Sequence, residues 1–135
     1  MTTRQKKQAL LGPGREFDRI REILLDLPDL PAEVRVGPGD DAAVLWNDVV
    51  ISTDLSREGV HLDFDWILPT EAGYRSAAAG VSDLAAMAAD PIGILASVSA
   101  PGDGAAAEEL MAGVRLLASK LGISILGGDL TRSLG

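Results

Sequence analysis

Apolar side chains recur at helical spacing early in the chain. Phe17, Ile20, Ile23, Leu24 and Leu27 share one face, and Pro28 ends the pattern, which predicts an amphipathic helix over about residues 15 to 27. Pro28 to Pro31 is a linker. The period then shortens: Ala42 to Trp46 and Val49 to Thr53 are two apolar runs separated by Asn47 and Asp48, a β-hairpin whose second run ends at Asp54. A turn-rich stretch, LSREGVHLDFDWILP, leads through Pro69 into an Ala-rich helical segment, Glu71 to Ala89, closed by Asp90 and Pro91. Ile92 to Ser99 predicts a further strand, and Pro101 to Gly104 a turn. Leu110, Met111, Val114, Leu117 and Leu121 form the core stripe of a helix that ends at Gly122. A last strand, Ile123 to Leu126, runs into Gly127, Gly128 and Asp129.

Helix, two strands, helix, strand, helix, strand is the order of an α+β domain in two layers, a mainly antiparallel or mixed sheet with helices on one face. Its other face is left apolar and needs a cover. Residues 1–14 are polar and basic and end in Gly12, Pro13 and Gly14, so they read as a flexible arm, with the domain proper at 15–135. The chain reaches Gly135 without a finishing element after the last strand, and reads as the front of something longer.

Composition narrows the chemistry. Among 135 residues, 47% are hydrophobic but only 4% aromatic, so Ala, Leu, Val and Ile must build a small-residue, tightly packed core. Twenty acidic against twelve basic side chains leave a net charge of -8, which argues against a dedicated nucleic-acid or anionic-membrane binder. An anionic ligand would need a cation as intermediary. The first ten residues lack an apolar signal core, and no apolar run approaches the length of a membrane span, so a cytoplasmic protein is expected. With no cysteine and a single histidine, thiol nucleophiles, zinc-thiolate sites and multi-histidine metal sites within the chain are excluded. Oxygen chemistry is what remains.

The stretch GPGDDA at 37–42 matches a dinucleotide-binding pattern, but a strand rather than a helix follows it and two aspartates would face the phosphates. No P-loop signature exists either. The better clue is the placing of aspartates: Asp40 and Asp41 before a strand, Asp54 after one, Asp129 after another beside two glycines. Carboxylates at strand ends suit Mg²⁺, which takes oxygen ligands and shares them with water and substrate phosphates. Asp at a strand end also caps turns, and singly that reading is the commoner one. Asp83 has only Ala79, Gly80, Ala86 and Met87 as helical neighbours and no basic partner on its helix, so it faces either water or a metal. Ser52 and Thr53, beside Asp54, could add a hydroxyl or carbonyl to a metal shell, while His61, in a loop with Gly59 and Val60, could contact a substrate.

Read in order, GDDAAVL at 39–45, ISTDL at 51–55, EGVHLDFDW at 58–66, GYRSAAAGVSDLAAMAADP at 73–91 and GGDLTRS at 127–133 resemble the front half of the thiamine-monophosphate kinase family. The wider superfamily includes aminoimidazole ribonucleotide synthetase, selenophosphate synthetase and a hydrogenase maturation factor. The resemblance implies an N-terminal ATP- and Mg²⁺-binding domain that passes the ATP γ-phosphoryl group to thiamine monophosphate, giving thiamine diphosphate. By motif match, Asp41, Asp54, Asp83 and Asp129 would be the main metal ligands and Ser52 and Thr53 would add oxygens. Gly128 and Asp129 would lie at ATP, and His61 at the substrate. It also implies a homodimer in which two sheets pair into a barrel-like core, and a second, C-terminal domain that this chain lacks, without which the chain alone would be inactive. Gly80, Ala88, Leu130, Ser56 and Arg57 depart from the family's common residues. Two other readings compete: a dimerising metal- or nucleotide-binding module without turnover, and a related ATP enzyme acting on another substrate.

Overall fold

The structure, a computed structural model, describes residues 14–102 and 104–133. The arm expected at residues 1–14 lies outside them except for Gly14. The chain divides into two compact units, residues 1–52 and 53–135, each with its own sheet.

In the first unit a helix, α1 (Arg15–Leu25), precedes three short strands, β1 (Val34–Val36), β2 (Ala43–Leu45) and β3 (Val50–Ile51), antiparallel in the order β1-β2-β3. The expected hairpin is β2–β3. Its turn is closed by Leu45 N–H donating to the Val49 carbonyl at 2.9 Å and Asp48 N–H to the Leu45 carbonyl at 3.1 Å. Asp48 takes a positive φ of 63° there, a conformation Asp tolerates better than most residues. Strand β1 has no counterpart in the hydrophobic pattern, because Val-Arg-Val is too short to stand out between Pro31 and Gly37. Its Arg35 forms an exposed ion pair with Asp48 across the hairpin.

The second unit contains α2 (Pro69–Ala86), β4 (Gly93–Ala100), α3 (Ala105–Leu121) and β5 (Ser124–Arg132). Strands β4 and β5 pair in parallel through the α3 crossover, and α3 lies against both. Helix α2 packs on α3. The α+β class is therefore as expected, but the strands form two sheets, one antiparallel and one parallel, where a single sheet was expected. The physical reason is the segment after β3: between Ser52 and Leu68 the chain is taken up by turns and carries only one isolated bridge, Glu58 to Leu62.

The core of the described residues is built from small side chains, as the composition requires. Ala42, Ala72, Ala100, Ala107 and Ala118 are buried with Val114 and Leu117. Of the expected α3 stripe, Val114 and Leu117 are buried, Leu110 and Met111 are half-buried, and Leu121 is exposed. Ala72 is fully buried, and Gly73 beside it is buried too. A Cβ on Gly73 would stand 1.9 Å from the Leu110 carbonyl oxygen, and one on Gly113 would stand 1.9 Å from that of Thr70. The two helices thus meet backbone to backbone, closer than any side chain permits. Lys120 Nζ lies 4.8 Å from the centre of the Tyr74 ring, a cation–π contact between the same helices.

Helix α2 begins two residues before the expected Glu71. Pro69 occupies its first turn, where a missing N–H costs nothing, and the Glu71 carboxylate turns back to accept the Leu68 N–H at 2.9 Å. It ends at Ala86, three residues early, because Ala88 adopts φ 54° while its N–H donates to the Ala85 carbonyl and that of Ala89 to the Leu84 carbonyl. Ala88 is one of the departures noted above, and it holds a left-handed conformation that favours glycine.

Three substitutions are expected to change stability through this geometry. Ala88→Gly is expected to raise stability by about 1 kcal/mol by removing the Cβ penalty of the left-handed cap, read as a higher melting temperature. Gly113→Ala is expected to lose about 2 kcal/mol or more through overpacking. Gly80→Ala, whose Cβ would meet nothing nearer than 3.9 Å, is expected to gain up to about 1 kcal/mol from helix propensity; denaturant titration of the pair should give opposite signs.

Candidate functional site

The turn-rich segment that opens the second unit is ordered by its own hydrogen bonds. Both Val60 and His61 N–H groups donate to the Arg57 carbonyl, at 3.2 and 2.8 Å, and Gly59 N–H donates to the Leu62 carbonyl at 2.8 Å. Gly59 makes this loop possible with φ 73°. The Arg57 N–H in turn donates to His61 Nδ1 at 3.2 Å. With Nδ1 accepting, the ring's proton sits on Nε2, which is left as an outward donor. Further on, the Asp63 carboxylate accepts the Asp65 N–H at 2.9 Å, and the Asp63 carbonyl accepts those of Trp66 and Ile67. This Asx turn presents the Trp66 indole at 84% exposure.

Two adjoining hollows lie between this segment and α2. One, of about 350 Å³, is lined by Val60, His61, Asp63, Trp66, Ile67 and Arg75 among others. The other, of about 360 Å³, is lined by Asp54, Ser56, His61, Arg75, Ser76 and Ala79 among others. His61 and Arg75 belong to both. Sequence reasoning assigned no role to Arg75 or Trp66; the signal available was that Arg75 is the one basic residue of α2.

Asp54 is exposed and accepts the Leu55 N–H at 2.7 Å with one carboxylate oxygen. It sits against α2, since a Cβ on Gly80 would lie 3.9 Å from the Asp54 Cβ. Ser76, Ala79, Gly80 and Asp83 fall on one face of that helix by their spacing. The fold therefore places half-buried Asp83 on the α2 face that Asp54 approaches, one turn beyond Gly80. The helix spacing left Asp83 open to water or metal, and the structure supplies the carboxylate that shares its side.

The remaining sites fall elsewhere. Asp41 is exposed in the turn before β2, and Ser52, half-buried, ends the first unit. Exposed Thr53 opens the second. Strand β3 stops at Ile51, so Ser52 and Thr53 follow the strand where they were expected to be its last residues. Gly128 and Asp129 likewise depart from expectation, because β5 does not end at Leu126 but continues to Arg132. In the parallel register Gly128 stands beside Ala96 and Asp129 beside Ser97. A Cβ on Gly128 would reach within 1.8 Å of the Ala96 carbonyl oxygen, so this glycine is required for the strands to meet. Asp129 shares its sheet face with Ser97, the exposed one in the alternation along β4.

Among the described residues no group of three Asp, Glu or His side chains converges as a closed metal cage. All the donors named are hard oxygens, and Asp54 and Asp83 approach one side of α2. That set fits a cation held by one or two carboxylates and completed by water and phosphates, the usual habit of Mg²⁺. No helix among the described residues is long and apolar enough to cross a membrane.

Comparison with known proteins places this arrangement in a family. Residues 39–135 match the N-terminal domain of AIR synthase related proteins, and the chain belongs to that family. Its similar relatives include the thiamine-monophosphate kinases of Synechococcus elongatus, 38% identical over 109 residues, and of Escherichia coli, 36% identical over 124 residues. The matches cover 76% and 88% of this chain but 32% and 36% of those proteins. The chain thus spans about a third of their length. A crystal structure of the thiamine-monophosphate kinase of Stenotrophomonas maltophilia matches 87% of this chain and 37% of its own, with a TM-score of 0.57 and 33% identity. A crystal structure of the protein tt0281 from Thermus thermophilus matches 90% of this chain and 40% of its own, with a TM-score of 0.67 and 29% identity.

The crowding at Gly128 generates a prediction. Gly128→Ala is expected to cost about 2–3 kcal/mol by forcing β5 from β4, measured by thermal or chemical unfolding without any nucleotide. Unchanged stability would show that the strands can separate there freely.

Proposed function

We propose that the chain is the acidic, metal-binding half of a thiamine-monophosphate kinase, an N-terminal ATP- and Mg²⁺-binding domain. In the reaction, an oxygen of the phosphate on thiamine monophosphate forms a bond to the ATP γ-phosphorus while the bond from that phosphorus to the β,γ-bridging oxygen breaks. The products are thiamine diphosphate and ADP. The acceptor phosphate is already largely deprotonated at neutral pH, so no separate general base is required. Mg²⁺, when bound, neutralises the phosphates and lets two anions approach.

The observation that carries this reading is the approach of Asp54 to the Asp83-bearing face of α2, beside the hollows that contain His61, in a chain whose relatives are named for this kinase. Asp54 and Asp83 would hold a metal from the second unit, with Thr53 adding oxygen. Asp41 and Ser52, in the first unit, are metal ligands by the same reading, Gly128 and Asp129 lie at ATP, and His61 lies at the thiamine substrate. A net charge of -8 supports capture of ATP through cations rather than by direct contact. Leu95 and Leu126 on the β4–β5 sheet are exposed and give a homodimer apolar surface to cover by pairing sheets into a barrel-like core. We place the protein in the cytoplasm. The matched relatives are more than twice as long as this chain, and turnover is expected of a form of the protein with their length.

Titrating Mg²⁺ or Mn²⁺ into the chain with ATP is expected to give binding that weakens severalfold or more in Asp54→Asn, Asp83→Asn and Asp129→Asn. Wild-type affinity in all three would sink the metal assignment. Offering a longer form of the protein thiamine monophosphate, an aminoimidazole precursor or selenide with ATP separates the kinase from a related ATP enzyme. Metal-dependent ATP binding with no turnover of any of them would favour the binding module.

A further inference from the structure

The two hollows share a wall made of Val60, His61, Leu62 and Arg75, where the Arg75 guanidinium is the one cation beside the carboxylate of Asp54 in one hollow and of Asp63 in the other. Arg75 makes no ion pair with any described residue. Its natural helical partner is Glu71, four residues earlier, but that carboxylate is spent on the Leu68 N–H at the start of α2. His61 is held by its Nδ1, which leaves the Nε2 donor free. An unpaired guanidinium and an imidazole donor, lining the same two hollows in a chain with twenty acidic residues, form a site for an anion. On one side of that wall lies Asp54, and on the other the exposed indole of Trp66 with Ile67 and Asp63.

We propose that Arg75 is a specificity-determining residue that, with the Nε2 donor of His61, grips the phosphate the acceptor substrate already carries, while the Trp66 hollow takes the organic part of the molecule. This rests on the kinase reading and adds to it a reason for preferring a phosphomonoester over the free alcohol. A planar guanidinium offers two parallel N–H groups to phosphate oxygens, a geometry that discriminates a phosphate from a hydroxyl. The phosphate so held lies at the border of the Asp54 hollow, the side from which a metal-bound γ-phosphoryl group would arrive. An aromatic face beside it suits a flat, cationic heterocycle such as the thiazolium of thiamine.

The test uses the 135-residue chain and three probes: thiamine monophosphate, thiamine and inorganic phosphate, each with Mg²⁺, followed by calorimetry or by tryptophan fluorescence read against a Trp46→Phe background. Wild type is expected to bind thiamine monophosphate tightest. Arg75→Gln should weaken thiamine monophosphate and phosphate roughly 10- to 100-fold while leaving thiamine unchanged. Arg75→Lys, which keeps the charge without the fork, should fall between, and Trp66→Ala should weaken thiamine and its phosphate but not inorganic phosphate. If Arg75→Gln leaves phosphate and thiamine monophosphate binding at the wild-type level, or weakens all three probes alike, the inference is overturned while the kinase reading stands. Arg75-dependent binding of phosphate with no preference for the thiamine compound keeps the anion site and removes the thiamine assignment.

Discussion

The second unit depends on one contact, the meeting of α2 and α3 through Gly73 and Gly113. Each glycine sits where a Cβ would overlap a carbonyl oxygen of the other helix, and Ala72 is fully buried beside them. With almost no aromatic side chains to fill space, the helices gain dispersion and apolar burial by approaching until backbones touch. The same economy repeats at Gly128, where β5 meets β4. Small residues are thus the means by which an acidic, aromatic-poor chain builds a core at all.

That contact also sets the site. Because one face of α2 is committed to α3, another is left toward the turn-rich segment, and along it run Arg75, Ser76, Ala79, Gly80 and Asp83. The segment itself has no sheet to hold it, and its order comes from short-range hydrogen bonds around Arg57, Gly59 and Asp63. A rigid helix thus carries one set of polar groups and a self-ordered loop carries the other. Such a division, scaffold plus loop, is how binding groups are commonly presented.

Charge is distributed to match. The protein as a whole repels anions, and the wall formed by His61 and Arg75 is a local exception created by a helix cap: Glu71, by bonding to Leu68 N–H, leaves Arg75 without its expected partner. A residue that serves helix initiation therefore also decides the electrostatics of the hollow one turn away.

Much of this was readable from the chain alone. Helical periodicity located α1 and α3 because runs of ten or more residues carry enough turns to repeat the pattern, the Ala-rich run between Pro69 and Pro91 located α2, and Gly122 marked the end of α3 because glycine takes a positive φ without strain. Aspartate-rich motifs named the family, since their order survives without any knowledge of geometry. Strand β1 escaped because three residues cannot display a period, and the run of β5 through Gly127 and Gly128 escaped because glycine reads locally as a break. Only the pairing partner, Ala96, makes glycine a requirement there. Likewise the sequence could list Asp54, Asp83 and His61, but whether they share a side, and that Arg75 joins them, is a matter of which face of α2 the α3 contact leaves open. That is a property of long-range packing, which no local window of residues contains.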